Sequence, residues 1–108
     1  MTKIFAHRGA SAYAPENTME AFELAAKQGA DGIELDVHVT KDGEVVVTHD
    51  EKIDRVSNGS GFIKDMTLRE LKRLSFHNHM ESYVGAGIPT LREVLEYVST
   101  TNMDVNIE

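Results

Sequence analysis

Apolar and polar side chains alternate strictly over residues 33–39, which predicts an extended strand. The apolar side is formed by Ile33, Leu35, Val37 and Val39, and the polar side by Glu34, Asp36 and His38. Two carboxylates two positions apart on one strand face lie about 7 Å from each other. If that face is partly buried, a cation has to offset their repulsion and lost hydration. A strand with its polar side simply in water is the competing interpretation.

The Asp42-Gly43 pair that follows, flanked by apolar residues, predicts a β-hairpin. With these two residues as the loop, Lys41 pairs with Glu44, and His49 lies directly opposite Asp36. A three-residue loop with a bulge would shift the register by one residue and turn His49 away. We favour the two-residue loop, which would put two carboxylates and an imidazole on one surface.

Around this hairpin the sequence predicts alternating strands and helices. Predicted strands cover residues 3–6, 31–37 and 104–108, and segments 51–65 and 76–88 are expected to be irregular. Predicted helices begin at Asn17 or Thr18, at Thr67 and at Thr90, the first of them ending at Gly29. Three residue pairs have the spacing of capping boxes: Asn17–Glu20, Thr67–Glu70 and Thr90–Glu93. The last helix should bury Leu91, Val94, Leu95 and Val98. Strand, helix and strand within about thirty residues form a βαβ unit, so the first two strands should be parallel neighbours.

Composition narrows the class of protein. The 108 residues carry a net charge of −7, which argues against a nucleic-acid partner and against adhesion to anionic membranes. Because the chain has no cysteine, any metal ligands must be oxygen atoms or imidazoles. No apolar run is long enough for a membrane span, and the N-terminus does not resemble a signal peptide, so a cytoplasmic location is expected.

Five short motifs follow one another along the chain: His7-Arg8-Gly9, Pro15-Glu16-Asn17-Thr18, Glu34-Leu35-Asp36, Asp42-Gly43 with Val45 to His49-Asp50, and Asn106-Ile107-Glu108. In this order and spacing they resemble the glycerophosphodiester phosphodiesterase family. A more distant similarity links them to phosphatidylinositol-specific phospholipases C. The resemblance implies an α/β fold, the N-terminal part of a TIM (βα)8 barrel with a β-hairpin and a small helical insertion, roughly 51–88, after the second strand. Such a barrel takes about 250 residues, so the remaining strands are expected to be absent from this chain.

The same resemblance implies a site and a reaction. The implied residues are Glu34, Asp36 and Glu108 as ligands of a divalent cation, His7 and His49 as the catalytic acid and base, and Arg8 on the substrate phosphate. Hard oxygen ligands suit Ca²⁺ or Mg²⁺, and imidazole suits proton transfer near neutral pH. The implied reaction is metal-dependent hydrolysis of a small-molecule glycerophosphodiester to glycerol 3-phosphate and an alcohol. By resemblance, the neighbouring glycerol hydroxyl attacks first, and water then opens a cyclic phosphate.

Other interpretations of these residues remain open. Either histidine alone could be structural, Arg8 could form a surface ion pair, and Glu108 could be an exposed terminal residue. The chain could instead be an inactive half-barrel that self-associates or needs a partner chain, since its sheet would have open edges. A phospholipase-C-like or lysophospholipase-D-like relative is disfavoured by the lack of a basic or apolar membrane-binding stretch.

The remaining polar residues near these motifs have less specific expectations. Glu16 and Asn17 are expected to cap a helix, with a secondary role in supporting Arg8 or the metal. Asp50 either orients His49 or closes the turn. We expect His38 to be non-catalytic and both His77 and His79 to be solvated.

Overall fold

The computed structural model describes residues 3–108, which form an α/β chain of five short strands and three α-helices. The strands are β1 (Phe5–His7), β2 (Gly32–Leu35), β3 (Val37–Val39), β4 (Val45–Val47) and β5 (Asp104–Ile107). The helices are α1 (Met19–Lys27), α2 (Leu68–Lys72) and α3 (Leu91–Val98), with two single 3₁₀ turns at Ile63–Asp65 and Glu81–Tyr83.

The first, second and fifth strands form one parallel sheet in the order β1-β2-β5. The predicted βαβ unit is therefore confirmed, with β1 and β2 as parallel neighbours. His7 pairs in register with Glu34, and Glu34 pairs with Asn106. This register places the ends of the three strands at the same edge of the sheet.

Helix α1 is capped by Thr18, whose side-chain oxygen accepts a 3.2 Å hydrogen bond from the Ala21 main-chain N–H. The predicted Asn17–Glu20 capping box is wrong, because Asn17 lies outside the helix with a positive φ of 55°. The helix ends at Lys27 with Gln28 as its C-cap, so Gly29 directly follows the cap, as predicted. Because Thr18 caps the helix, the Asn17 side chain can contact Asp36, which directly follows β2.

Helices α2 and α3 both begin with the predicted capping boxes, at Thr67–Glu70 and Thr90–Glu93. In α3 the expected burial holds for Val94 and Val98, whereas Leu95 is 42% exposed. Leu95 faces an open groove between α3 and the hairpin, so the helix presents a narrower apolar stripe than its sequence suggests. None of the helices within residues 3–108 is long and apolar enough to cross a membrane.

The hairpin differs from the favoured register by one residue. Val37 pairs with Val47 and Val39 with Val45, and the Thr48 main-chain N–H donates to the Asp36 carbonyl at 2.9 Å. Our expectation of His49 opposite Asp36 is therefore wrong. A two-residue type I′ loop needs positive φ at both central residues, but only Gly43 has it (φ 84°), so the loop contains three residues.

Two separate hydrophobic clusters support these elements. The first joins α1 and α3 to the parallel sheet through Phe22, Ile33, Leu35, Val94 and other buried residues. The second lies under the 51–88 segment and is formed by Val46, Ile53, Val56, Ile63, Leu71, Phe76 and Ile88. Adjacent residues of β4 pack into different clusters, since Val46 belongs to the second cluster and Val47 to the first. The hairpin therefore fixes the 51–88 segment against the sheet.

Candidate active site

The carboxyl end of the parallel sheet gathers most of the predicted site residues. In-register neighbours in a parallel sheet point to the same face, so His7, Glu34 and Asn106 share one face. Ile33 and Leu35 alternate with them and are buried on the opposite face. The polar face is thus the one that α1 and α3 do not cover.

Two further predicted residues directly follow the strand ends. The main-chain N–H of Arg8 donates to the Glu34 carbonyl at 2.7 Å, and that of Glu108 donates to the Leu35 carbonyl at 2.9 Å. Arg8 and Glu108 are therefore fixed on either side of β2. Backbone hydrogen bonds alone bring the first and last motifs of the chain together.

Asp36 is held from two sides through the same oxygen. Its Oδ2 lies 3.4 Å from Arg8 Nε and accepts a 3.1 Å hydrogen bond from Asn17 Nδ2. Asp36 is 9% exposed, so these partners offset the cost of burying its charge. Its Oδ1 has no protein partner within residues 3–108 and is not among the fully buried unpaired atoms. One oxygen of Asp36 therefore anchors the site, and the other is open to a ligand.

The backbone around Arg8 and Asn17 is unusual. Both residues have left-handed backbone conformations, with φ of 57° and 55°, and the Asn17 main-chain N–H donates to the Arg8 carbonyl at 2.9 Å. Arg8 Nε and Asn17 Oδ1 are also buried without hydrogen bonds. Strained backbone and unsatisfied polar atoms tend to concentrate at functional sites. Here they coincide with the site predicted from sequence.

His49 lies in the loop after β4, with its side chain 47% exposed. Its Nδ1 lies 2.8 Å from Asp50 Oδ1, and its carbonyl lies 2.8 Å from His38 Nε2. Of the two roles left open for Asp50, the structure shows the one that orients His49. No hydrogen bond joins the imidazoles of His7 and His49 within residues 3–108. His7 is the last residue of β1 and His49 lies in the loop after β4, so the two catalytic candidates come from different elements.

Arg55, in the 51–88 segment, links the loop after β1 to the loop after β4. Its guanidinium donates two hydrogen bonds to Glu16 (2.8 and 3.0 Å) and two to Asp50 (2.9 and 3.2 Å). Glu16 also accepts a hydrogen bond from Arg8 Nη1 at 3.2 Å, in agreement with its expected secondary role in supporting Arg8. The expectation that Glu16 caps the helix is wrong, because Thr18 is the cap of α1. Arg55 was missed in the sequence because no spacing or motif distinguishes it from other surface arginines.

The contacts of Arg55 change the pKa values of the Asp50 and Glu16 carboxyl groups. Hydrogen bonds from Arg55 lower the pKa of Asp50 from 3.8 to about 2, against the opposing effect of burial and with a smaller contribution from His49. Burial by itself would raise the pKa of Glu16, but the hydrogen bonds and charge of Arg55, with the charge of Arg8, outweigh it and lower that pKa. Conversely, the two carboxylates raise the pKa of Arg55. All three groups are therefore charged near neutral pH.

This linkage predicts a pH-dependent contribution to stability. Asp50 binds its proton at a lower pH when folded than when unfolded, so its contribution is present above the ordinary pKa of 3.8 and is lost as pH falls toward about 2. We expect urea denaturation to show a smaller drop in unfolding free energy between about pH 6 and pH 3 for Asp50→Asn than for the parent chain. The exposed Asp65 provides the matched control, and an equal drop in Asp50→Asn and Asp65→Asn would contradict the prediction.

The predicted metal ligands do not form a closed cluster in this structure. Within residues 3–108, no group of three or more His, Asp or Glu side chains is arranged to hold a metal ion. Glu34 is half-buried on the polar face and Glu108 is exposed at the end of β5. The assignment of Glu34, Asp36 and Glu108 to one cation therefore stays a prediction.

Two histidines lie away from this edge. His77 was expected to be solvated but is partly buried, with its Nδ1 2.7 Å from Ser75 Oγ. His79 is exposed, as expected. Within residues 3–108, neither forms a hydrogen bond with the residues gathered at the sheet end.

Together, the fold and the site describe an α/β protein with an acidic, arginine-containing site at the carboxyl end of a parallel sheet. The family model of the glycerophosphoryl diester phosphodiesterases matches residues 7–108. The glycerophosphodiester phosphodiesterase of Caldanaerobacter subterraneus is 53% identical over 99% of this chain, which spans 44% of that relative. The chain belongs to the glycerophosphoryl diester phosphodiesterase family.

Solved structures agree with this membership. A glycerophosphodiester phosphodiesterase from Agrobacterium tumefaciens, 44% identical, superposes with a TM-score of 0.95 over 99% of this chain and 46% of its own. A phosphodiesterase from Oleispira antarctica, solved with the product sn-glycerol-3-phosphate, is 38% identical with a TM-score of 0.94 over 99% of this chain and 44% of its own. The chain thus spans less than half the length of each of these relatives.

Proposed function

We propose that this chain forms part of the active site of a metal-dependent glycerophosphodiester phosphodiesterase, which releases glycerol 3-phosphate and an alcohol. The observation that carries the proposal is the meeting of His7, Arg8, Glu34 and Asp36 at one sheet edge, in a chain that matches the family from residue 7 to residue 108. The product bound to the Oleispira relative belongs to the same chemistry.

The donor set fits a hard divalent cation. Asp36 Oδ1 is open. The ion pairs that Arg8 and Arg55 form at the site involve Glu16, Asp36 and Asp50 but not Glu34. Glu34, Asp36 and Glu108 would hold Ca²⁺ or Mg²⁺ through carboxylate oxygens. When bound, the cation would supply electrostatic stabilisation of charge on a phosphoryl oxygen. The choice between the two ions depends on ligand number and geometry.

The chain's own side chains would bind the phosphate and move protons. Arg8 uses Nη1 for Glu16 and Nε for Asp36, which leaves Nη2 without a protein partner in the described residues and available to a phosphate oxygen. One imidazole of His7 and His49 would take the proton from the attacking hydroxyl, and the other would protonate the leaving alkoxide.

The architecture proposed for the whole protein is a TIM barrel whose second strand is followed by an insertion of roughly residues 51–88. Two features support it: the all-parallel β1-β2-β5 sheet and the separate hydrophobic cluster beneath the 51–88 segment. In TIM barrels, catalytic groups come from the carboxyl ends of several strands. The alternative proposal is an inactive half-barrel that self-associates or needs a partner chain. It is favoured by the outer edges of β1 and β5, which pair with no other strand in the described part of the chain.

The direct test is release of glycerol 3-phosphate from glycerophosphocholine by the 108-residue chain, with Ca²⁺, with Mg²⁺ and with a chelator. Metal-dependent release would support the proposal and show that these strands assemble a working site. No release by the chain would favour the alternative in which further strands are needed. Release that is unaffected by the chelator would contradict metal dependence.

A further inference from the structure

Arg55 makes more polar contacts than any other side chain at the site, although no motif includes it. One guanidinium forms a bidentate pair with Glu16, which is 39 positions away in the sequence, and a second bidentate pair with Asp50. Planar bidentate contacts fix the orientation of the carboxylate relative to the guanidinium as well as the distance between them. The two carboxylates are therefore held at a set separation and orientation.

Each of these carboxylates also contacts a predicted active-site residue. Glu16 accepts from Arg8 Nη1 at 3.2 Å, and Asp50 lies 2.8 Å from His49 Nδ1. An unbroken chain of charge-assisted contacts therefore runs from Arg8 through Glu16, Arg55 and Asp50 to His49. We propose that Arg55 is a positioning residue, which holds the loop of His49 against the loop of Arg8 so that proton transfer and phosphate binding occur at one place. This inference rests on the function proposed above.

The contact with Asp50 also selects the tautomer of His49. Because Asp50 has a pKa of about 2, its carboxylate is ionised near neutral pH and can only accept a hydrogen bond. The proton of a neutral His49 ring is then on Nδ1, and Nε2 carries the lone pair needed to take a proton from a hydroxyl. Arg55 keeps Asp50 charged and oriented, so it acts on the ring through Asp50.

A contribution to stability alone would not explain this arrangement. The Arg55 side chain is 46% exposed, and ion pairs at that exposure stabilise a fold little. The 51–88 segment is already packed against the hairpin through its own hydrophobic cluster, which includes Val46. What the four hydrogen bonds add is a fixed orientation of two carboxylates, each of which contacts one predicted active-site side chain.

The first test measures positioning directly, without any assay of turnover. In Arg55→Gln we expect carboxyl ¹³C NMR titrations to show the pKa values of both Asp50 and Glu16 raised, and ¹⁵N spectra at about pH 8.5 to show His49 losing its Nδ1–H tautomer. Arg55→Lys keeps the charge but lacks the planar guanidinium that forms bidentate pairs. We therefore expect smaller changes in the two pKa values and in the His49 tautomer than in Arg55→Gln. Arg69, exposed on α2, provides the matched control Arg69→Gln, which should leave all three signals unchanged. If only one carboxylate responds, or if the His49 tautomer is unaltered, the proposal is overturned.

The second test separates positioning from binding in the protein that turns over glycerophosphocholine. We expect Arg55→Gln to lower kcat by about 10–100-fold, as is usual when a partner of a site residue is removed, with KM changed by less than about threefold. Arg55→Lys should recover part of kcat. A kcat for Arg55→Gln within about twofold of Arg69→Gln would overturn the proposal. Absence of turnover in the parent protein would count against the proposed function, and the NMR test would still decide the role of Arg55.

Discussion

Replacing Glu34 by Gln is expected to abolish metal-dependent release of glycerol 3-phosphate while leaving the fold intact. Glu34 lies between His7 and Asn106 on the polar face of the sheet, and the ion pairs of the site do not include it. The amide keeps the shape of the side chain but removes the charge that a cation needs. Electrostatic stabilisation by a bound metal is worth several kcal/mol, so we expect turnover to fall by about a hundredfold or more.

The measurement combines calorimetric titration of Ca²⁺ and Mg²⁺ with the release assay and a thermal melt. Glu23→Gln on the exposed side of α1 is the matched control and should behave like the parent protein. Asp36→Asn tests the metal less cleanly, since Asp36 Oδ2 also contacts Arg8 and Asn17. Unchanged turnover and cation binding in Glu34→Gln would rule out its assignment as a metal ligand.

Replacing Gly9 by Ala is expected to destabilise the chain more than any surface change. Gly9 has a positive φ of 79°, and a Cβ built on it would lie 2.8 Å from the Ala21 carbonyl carbon and from the Ala21 Cβ. Left-handed backbone is costly for alanine, and the backbone contact adds to this cost because α1 would have to move away from the loop. We expect the free energy of unfolding to fall by roughly 2–5 kcal/mol in urea denaturation.

Gly43→Ala separates the two causes of that loss. Gly43 has a similar φ of 84°, but nothing lies within 4 Å of the position that a Cβ would take there. The substitution therefore imposes only the conformational cost, about 1–2 kcal/mol. Equal losses in the two variants would show that the approach of Gly9 to α1 is unimportant for stability.

Local sequence signals predicted most of the secondary structure. The Thr67–Glu70 and Thr90–Glu93 capping boxes were predicted from spacing alone and are present in the structure. Such signals succeed because a capping hydrogen bond joins residues three positions apart, and nothing distant needs to be known. Asn17 shows the limit of this argument, since a good capping residue took a left-handed conformation and binds Asp36 instead.

The hairpin register depended on a single backbone angle that the sequence leaves open. Asp-Gly is compatible with a two-residue loop and with a three-residue loop that ends in a left-handed glycine. Among the residues of the hairpin loop only Gly43 has a positive φ, which fits the longer loop, and His49 therefore lies out of register with Asp36. His49 then makes its side-chain contact with Asp50, the next residue in the chain.

The sequence by itself determined most element types, the parallel βαβ unit and the family, because these depend on local periodicity and on motifs read in order. The single strand predicted from the alternation that ends at Val39 is wrong, because the chain leaves the sheet at Asp36 and forms two strands, β2 and β3, in different sheets. Only the tertiary structure decided which side chains of the site contact each other. Arg55 lies 39 positions from Glu16, and Leu95 is left open to the groove beside the hairpin. Contacts between distant segments depend on how packed elements are oriented, and the pattern along one segment carries no information about the segment that will face it.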